Sequence, residues 1–338
     1  MQDKIQQNRR DFMINSGKVA LAGVAIGAMA GISPLLANSN IKPTQSTQAP
    51  QVWYITAASG GLGLALAKYL LEKGEKVAGT SRTLKNIEDK LGKESENFLP
   101  LELKFDKNMA KNIAANFKAV KRKFGRLDNV VNNAGYALMG FVEEVSEKQL
   151  REQFEVNVFA PFLIAQNALA IMRPQALSEN GSAANIKARI YNISSIRGFS
   201  VANGSTPYSM TKFAISALSE GLSLDTADFG IAVVNVMPTQ FRTEFAGASM
   251  NLGELENPAY AARRKAYIER TNAYNGKQAG NPAAFAKVIF ETSRQAKPPF
   301  YLFMGENAYK AARDKIALVE RDMKATEKYA GKAVDFAK

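Results

Sequence analysis

Short apolar runs alternate with helix-like stretches along the chain from Val52 onward. The apolar runs are rich in Val, Ile, Phe and Tyr, which is typical of strands buried on both faces of a sheet. Seven runs predict strands, at 52–56, 76–81, 98–103, 127–132, 188–193, 231–237 and 299–303. The stretches between and after them predict helices, at 62–73, 107–124, 147–172, 207–228, 282–295 and 306–331. This alternation predicts an α/β fold with a three-layer, doubly wound parallel sheet and right-handed crossovers.

The first 51 residues follow a different pattern. A polar start carries Asn8-Arg9-Arg10-Asp11-Phe12-Met13, and an apolar run rich in Gly and Ala follows from Val19 to Ile32. This layout predicts a signal peptide over 1–37, and the paired arginines resemble a twin-arginine signal, which implies the twin-arginine export machinery and a periplasmic or otherwise exported protein. The alternatives are an N-terminal membrane anchor or a buried helix, although the run is short for a span of about 20 apolar residues. Residues 38–51, rich in Pro, Ser, Thr and Gln, predict a linker.

No linker composition interrupts the chain between 52 and 305, so we expect a single domain there. The segment 240–280 is long, partly helical in pattern and rich in Tyr, Phe and Arg, which makes it a candidate lid over a substrate. A charged helical extension is expected over 306–338.

Composition excludes several kinds of chemistry. The chain has no His and no Cys, which removes imidazole bases, thiol nucleophiles and cysteine–zinc sites, and no metal site is predicted. Its 44 basic and 31 acidic residues give a net charge of +13. Because the two signs are interspersed, the charge indicates a solvated basic surface that attracts anionic ligands, and no nucleic-acid partner is expected.

Three residues carry most of the candidate chemistry. Tyr208 and Lys212, in Y-S-M-T-K, are four apart and share one face of a predicted helix. The lysine charge would favour the phenolate and lower the tyrosine pKa, giving a proton donor and acceptor near neutral pH. Ser195, in N-I-S-S-I-R-G, could hydrogen-bond the same substrate oxygen.

A glycine-rich turn, T-A-A-S-G-G-L-G at 56–63, follows the first predicted strand and precedes the first helix. Such a turn lets the backbone approach a pyrophosphate at a helix N-terminus. The position of this turn therefore predicts a dinucleotide site.

Four segments in this order resemble the short-chain dehydrogenase/reductase family of the single-domain Rossmann type: 56–63, N-N-A-G at 132–135, the serine segment at 192–198, and Y-S-M-T-K at 208–212. The resemblance covers about 51–305 and implies an NAD(P)-dependent oxidoreductase acting on a CH–OH group. It implies that Tyr208 is the general acid and base and that Ser195, thirteen residues earlier, is the catalytic serine rather than Ser194. It further implies that Lys212 binds the nicotinamide ribose and that Asn157 holds a water in a relay to the lysine.

The same resemblance implies the cofactor site. The second strand ends in Ser81-Arg82 with no acidic residue, which favours NADP(H) over NAD(H) because Arg82 can bind a 2′-phosphate. Ala57 replaces a family glycine, which is tolerable only if its φ is negative. The cofactor-binding residues implied are Thr56, Ala57, Ser59, Gly60, Gly61, Leu62, Gly63, Ser81, Arg82, Lys104, Phe105, Asn133, Ala134, Gly135, Tyr208, Lys212, Pro238 and Thr243.

The segment after the sixth strand suggests the kind of substrate. Four aromatic residues are candidates for an apolar pocket, although residues at such spacing are more often core: Phe241, Phe245, Tyr260 and Tyr267. We expect a small or medium, partly apolar carbonyl or alcohol, while Arg242, Arg263 and Arg264 leave an anionic substrate open.

Other interpretations remain. The departures at Ala57, Lys104 and Thr239 would suit a catalytically silent dinucleotide-binding or regulatory protein. An epimerase or dehydratase is less consistent with the glycine spacing. The resemblance also implies a homo-dimer or tetramer formed through helices matching 147–172 and 207–228.

Overall fold

The computed structural model of the protein describes residues 49–247, 249–331 and 334–335. These residues belong to one compact unit that begins at Ala49. The predicted signal peptide, 1–37, and residues 38–48 of the predicted linker lie outside the described residues. The backbone N–H of Gln51 donates to Glu75 Oε2 over 2.7 Å, so the folded domain is anchored at the end of that linker.

A parallel sheet of seven strands organises the domain. The strands of the described chain are β1 (Val52–Ile55), β2 (Lys76–Ser81), β3 (Phe98–Glu102), β4 (Asn129–Asn132), β5 (Ala137–Met139), β6 (Ala188–Ile193), β7 (Ile231–Pro238), β8 (Met250–Leu252) and β9 (Tyr301–Met304). The large sheet has the order β3-β2-β1-β4-β6-β7-β9, and all neighbours are parallel. The strand order reverses direction between β1 and β4, where ligands bind in folds of this kind. The predicted doubly wound fold is confirmed.

Helices cover both faces of this sheet. In chain order they are α1 (Gly61–Glu72), α2 (Leu84–Leu91), α3 (Met109–Phe124), α4 (Glu147–Phe154), α5 (Ala160–Ser178), α6 (Thr206–Asp225), α7 (Ala261–Tyr274), α8 (Pro282–Ser293) and α9 (Glu306–Ala330). One core cluster joins the sheet to α3, α5 and α6, and a second joins it to α1, α2 and α8. The three predicted layers follow from these two apolar interfaces.

The long helix predicted at 147–172 is divided. Ser146 begins α4 with a capping box, accepting a bond from the Gln149 backbone N–H over 3.2 Å. A π-helical turn, Glu155–Phe159, then separates α4 from α5. Such turns occur frequently at functional sites. An 18-residue window within Glu147–Ser178 has a mean hydropathy of 1.4, so this helix is long and apolar enough to cross a membrane by length and composition. Ile164, Ala168 and Met172 account for part of that apolarity, because they pack in the core.

Two small elements were not predicted. Helix α2 begins at the Thr83 cap and buries only Ile87, so its apolar pattern is weak. Strands β5 and β8 form a separate two-stranded parallel sheet, with Ala137 opposite Met250 and Met139 opposite Leu252. This pairing ties the predicted lid segment to the turn that follows β4, and α7 supplies its helical part.

The predicted C-terminal extension is helix α9. Its first turns pack against the rest of the domain through Ala308 and Ala312, which share a cluster with Ile196. Farther along, Ile316, Val319 and Met323 are exposed.

Candidate active site

The predicted reaction residues meet at the carboxyl ends of the central strands. Ser195 follows β6 and caps the short 3-10 turn Ile196–Gly198. Tyr208 lies in the first turn of α6, directly after Pro207, whose fixed φ suits a helix start. The Ser195 side chain acts on the Tyr208 phenol and works against the rise in pKa that burial causes there, and both residues are buried. The structure therefore brings together two groups that the sequence places on different elements.

The pKa of Tyr208 moves in the direction opposite to the one expected. Burial raises it from 10.0 to about 12, while the Ser195 hydrogen bond and the positive charge of Arg197 work against that rise. The Lys212 ammonium lies 5.6 Å from the centre of the Tyr208 ring and is not the group that offsets burial. The expected lowering by Lys212 is thus wrong for the free protein, since desolvation of the phenolate outweighs nearby charge.

Lys212 is buried behind the tyrosine. Its Nζ donates to the Ile193 carbonyl over 2.8 Å, and burial lowers its pKa from 10.5 to about 8. A Cβ placed on Gly135 would lie 3.6 Å from Lys212 Nζ and 3.1 Å from Asn157 Oδ1. A side chain at 135 would crowd Asn157 Oδ1, so glycine lets the N-N-A-G turn approach Asn157 without displacing it.

Asn157 lies in the π-helical turn and fixes the backbone beside the site. Its amide nitrogen donates to the Tyr136 carbonyl over 2.9 Å and to Thr211 Oγ1 over 3.0 Å, and its Oδ1 accepts from the Tyr136 N–H over 3.1 Å. These bonds hold the chain after Gly135 against α6. The predicted water relay to the lysine stays a prediction.

Ser194 has a different environment from Ser195. Its hydroxyl donates to the Lys212 carbonyl over 3.0 Å and so ties the end of β6 to α6. A Cβ on Gly198 would lie 2.4 Å from Ser194 Oγ, so the following turn packs tightly on this serine. This geometry agrees with the assignment of the reaction to Ser195.

The glycine-rich turn is built against the end of β4. Thr56 Oγ1 accepts bonds from the N–H groups of Asn133 and Ala134, over 2.9 and 2.8 Å. Asn133 Nδ2 donates to the Thr56 carbonyl over 2.9 Å, and a Cβ on Gly63 would lie only 2.5 Å from that amide nitrogen. Thr56 and Asn133 therefore shape the turn with side-chain groups that are used inside the protein, and Gly63 leaves room for the Asn133 amide.

Ala57 adopts the left-handed conformation, with φ of 53°. This is the condition under which its methyl group is unfavourable, by roughly 1–2 kcal/mol relative to an unstrained backbone. Gly61 has the same φ, where glycine is unstrained. The turn keeps its shape despite one strained residue, which is a feature of functional backbone.

The open side of this turn fits a dinucleotide. Gly60 precedes α1, a Cβ on it would meet nothing within 4 Å, and the first turn of α1 carries no acidic residue. Unblocked N–H groups at a helix N-terminus bind phosphate. The half-buried Leu62 has its side chain against the core, so its contribution to a ligand is through the backbone.

Polar and basic groups surround the end of β2. The Ser59 and Ser81 hydroxyls are 2.8 Å apart, and Arg82 is exposed beside them. Lys90, on the unpredicted helix α2, donates to the Ser59 carbonyl over 2.7 Å. Sequence reasoning missed Lys90, because its approach depends on how α2 packs.

Four other residues predicted to bind the cofactor lie in different environments. Lys104 is exposed and forms an ion pair with Glu102 over 2.9 Å. Phe105 packs against the core, so its side chain does not present a free face for adenine. Pro238 ends β7 opposite Met304. Thr243 lies with Gly61 in the lining of a cavity of about 490 Å³, as expected for a residue near the pyrophosphate.

The four candidate pocket aromatics separate into two groups. The ring of Phe245 lies 6.1 Å from that of Tyr208, and the half-buried Tyr267 interacts electrostatically with Arg197. Phe241 instead packs on Phe285 in the core, and Tyr260 stacks on Phe141. The packing of Phe241 agrees with the alternative that such aromatic residues belong to the core, and the pocket role of Tyr260 stays a prediction.

The chain was compared with known proteins. A profile of the short chain dehydrogenase family matches residues 51–251. The chain is 31% identical over 265 residues to oxidoreductase BOA17 of Botryotinia fuckeliana, covering 78% of this chain and 91% of that protein. It is 30% identical over 296 residues to oxidoreductase calM of Penicillium decumbens, covering 84% and 93%. A solved short-chain dehydrogenase from Streptomyces avermitilis is 31% identical, with a TM-score of 0.74 over 85% of this chain and 100% of that one. The sheet order, the grouped Ser195, Tyr208 and Lys212, and these matches show that the chain belongs to the short-chain dehydrogenase/reductase family.

Proposed function

We propose that the protein is an NADP-dependent oxidoreductase that interconverts a carbonyl and a secondary alcohol. The observation that carries this proposal is the grouping of three buried residues, Ser195 after β6 and Tyr208 and Lys212 on α6. A bound nicotinamide supplies or accepts hydride, and the protein's own residues manage the proton and the substrate oxygen.

Tyr208 is the proton donor in this proposal. With a pKa of about 12 its phenol is protonated at neutral pH, so the free protein is prepared to reduce a carbonyl. Ser195 donates a hydrogen bond to the same oxygen and stabilises the charge that develops there. Oxidation of an alcohol needs the phenolate, and it should therefore become faster as pH rises toward the pKa of Tyr208.

NADP(H) is the cofactor that the residues favour. The exposed Arg82 and nearby Lys90 offer positive charge at the end of β2, where Ser59 and Ser81 supply hydroxyl groups. Charge-assisted bonds from these groups would bind a 2′-phosphate, whereas NAD(H) offers only a neutral ribose hydroxyl.

Calorimetric titration of the full chain with NADPH and NADH tests this choice. An Arg82→Ala variant should bind NADPH about 10- to 100-fold more weakly and leave NADH binding unchanged. Lys85→Ala is the matched control, because Lys85 is an exposed lysine on α2 that pairs with Asp89. Wild-type protein that binds NADH as tightly as NADPH would contradict the proposal.

We also propose export of the protein by the twin-arginine route, on the basis of the sequence of residues 1–37 alone. An Arg9→Lys, Arg10→Lys double variant should then remain in the cytoplasm while wild-type protein is recovered from the exported fraction. Equal distribution of the two proteins would argue against this route.

A further inference from the structure

Arg197 is a charged residue at the reaction centre that the sequence analysis did not single out. It lies in the 3-10 turn that Ser195 caps, and its backbone N–H donates to Ser195 Oγ over 3.1 Å. Its Nη1 donates to the Ser200 carbonyl over 2.9 Å. Backbone and side chain are thus both tethered, which fixes the guanidinium beside the catalytic serine.

The surroundings of this guanidinium are aromatic rather than acidic. It is half-buried and interacts electrostatically with Tyr208 and with Tyr267 of α7. Within 49–247, 249–331 and 334–335, no acidic side chain forms an ion pair with it at 4.0 Å or less. Partial burial of a cation without a counter-charge is unfavourable, so this arrangement favours an anion that binds beside it.

The other candidate arginines are already used inside the protein or point elsewhere. Arg264 pairs with the buried Glu144 over 3.5 Å and donates to the Gly253 carbonyl over 2.8 Å. Arg242 donates through Nε to the Gln278 carbonyl over 3.2 Å, and Arg263 is exposed on α7. Arg270 lies over the Tyr267 ring at 5.7 Å, and of these five arginines Arg197 is the one that interacts electrostatically with Tyr208.

We propose that Arg197 binds the carboxylate of an oxo acid or hydroxy acid whose reacting carbon lies at Ser195 and Tyr208. This inference rests on the proposed function and adds the substrate class to it. Phe245 and Tyr267 flank the same space and would contact an apolar body. Arginine suits the task because its planar group forms two parallel bonds to a carboxylate.

The reaction balances without a further reactant. In the reducing direction the carbonyl carbon gains a hydride from the reduced dinucleotide, and the C=O π bond breaks toward oxygen. That oxygen takes the Tyr208 proton, and the tyrosine recovers a proton from solvent. The carboxylate is unchanged, and its interaction with Arg197 orients the substrate.

A binding experiment tests the role of Arg197 without turnover. The full chain is saturated with NADP⁺, which cannot reduce a ketone, and titrated in a calorimeter with benzoylformate and with methyl benzoylformate. The two probes differ in the carboxylate charge. Wild-type protein should bind the acid about 10- to 100-fold more tightly than the ester, the range for a charge-assisted pair.

Substitutions then show whether Arg197 causes the preference for the acid over the ester. Arg197→Met should bring the two affinities within about twofold, and Arg197→Lys should keep part of the preference, because a lysine retains charge but not the planar fork. Arg263→Met removes the same charge from an exposed position on α7 and should keep the wild-type ratio. Circular dichroism of each variant checks that it is folded.

Two results would overturn the inference: a wild-type protein that shows no preference for the acid or binds neither probe, and an Arg197→Met variant that keeps the preference. Failure of the proposed function has a separate signature, which is a protein that binds no dinucleotide. Reduction of the ester by NADPH, together with equal affinities for acid and ester, would support the proposed function and reject the role of Arg197.

Discussion

The two ends of the parallel strands hold buried charge in different ways. At the amino ends, Glu75 and Asp128 are almost fully buried, and each has an arginine partner. Glu75 pairs closely with Arg294, and Asp128 pairs with Arg126 over 2.7 Å. Both carboxylates also accept backbone N–H bonds, from Gln51 and Val52. The two carboxylates at this end are thus paired, and the buried Arg189 near the start of β6 donates to the Gln295 carbonyl over 2.7 Å.

At the carboxyl ends the buried charges are cations without carboxylates. Lys212 is held by the Ile193 carbonyl, and Arg197 is held by the Ser200 carbonyl. Burial lowers the pKa of both side chains. In the described chain neither cation has an acidic partner within ion-pair distance.

The ion pairs at the amino ends stabilise the fold, whereas the cations at the carboxyl ends surround the candidate reaction site. The carboxylates at the amino ends are already paired with arginines, whereas the unpaired cations at the carboxyl ends favour any anion that arrives or forms there. A phenolate, a phosphate and a substrate carboxylate are anions of this kind. Substitutions at the two ends should therefore have opposite effects.

The largest expected effect is chemical and occurs at the carboxyl ends. Tyr208→Phe removes the proposed proton donor and should lower kcat about 10²- to 10⁴-fold, with NADPH binding retained. Tyr191→Phe is the matched control, because Tyr191 is fully buried and its hydroxyl has no hydrogen-bond partner. Steady-state kinetics and calorimetry measure both effects, and a Tyr208→Phe enzyme of undiminished kcat would refute the assigned role.

The second effect is a loss of stability at the amino ends. Arg294→Met leaves the buried Glu75 carboxylate without its counter-charge and should lower the free energy of unfolding by about 3 kcal/mol. The control is Lys287→Met on α8, the helix that Arg294 directly follows. This variant removes an exposed ion pair with Glu291 and should change the free energy of unfolding by less than about 0.5 kcal/mol. Denaturant unfolding measures both values.

The pH dependence of this loss has a defined sign. Burial already raises the pKa of Glu75 above 4.5, and loss of Arg294 raises it further. A raised carboxyl pKa destabilises the fold above that pKa and not below the ordinary value. The deficit of Arg294→Met relative to wild type should therefore shrink as pH falls toward 4.5, and a constant deficit would contradict this account.

The third effect is smaller and has the opposite sign. Lys212→Met removes a buried charge without a carboxylate and should stabilise the free protein at pH 7 by roughly 1–2 kcal/mol, after allowance for the lost bond to Ile193. Because folding lowers the pKa of Lys212 from 10.5 to about 8, the burial penalty is present below pH 8 and disappears as pH rises to 10.5. Unfolding curves at pH 7 and pH 10.5 test the sign of this change in stability. A Lys212→Met variant less stable than wild type at pH 7 would show that substitutions at the two ends of the sheet have the same effect.

The smallest effect concerns backbone strain beside the same site. Ala57→Gly should stabilise the protein by about 0.5–1 kcal/mol, because φ at this position is 53°. Gly61→Ala introduces the same strain at the same φ, with the new Cβ in ordinary contact 3.8 Å from Thr243, and should destabilise by about 1 kcal/mol. Changes of the same sign in the two variants would show that strain is not the cause.

Much of the framework could be read from the sequence. The predicted strands at 76–81 and 188–193 match the observed bounds, because both strands are fully or almost fully buried and read as apolar runs. Helix α6 was also expected, and with it the shared face of Tyr208 and Lys212. Local periodicity carries these features, so one sequence contains them.

Other features depend on contacts between distant segments. The pairing of β5 with β8 joins Ala137 to Met250 through only three residues in each strand, which leaves no periodic signal. The approach of Lys90 to Ser59 requires the observed packing of α2. Arg197 could have been flagged by its position two residues after Ser195, but its lack of an acidic partner is visible only in the fold.

The sequence by itself determined the parallel sheet, the glycine-rich turn and the spacing of Ser195, Tyr208 and Lys212, because these depend on local pattern and backbone geometry. The tertiary structure alone decided the protonation of the site. Burial raises the pKa of Tyr208 and lowers that of Lys212, since desolvation depends on every element packed around a group. It also decided which charges are paired, because an ion pair forms between residues that only the folded chain brings together.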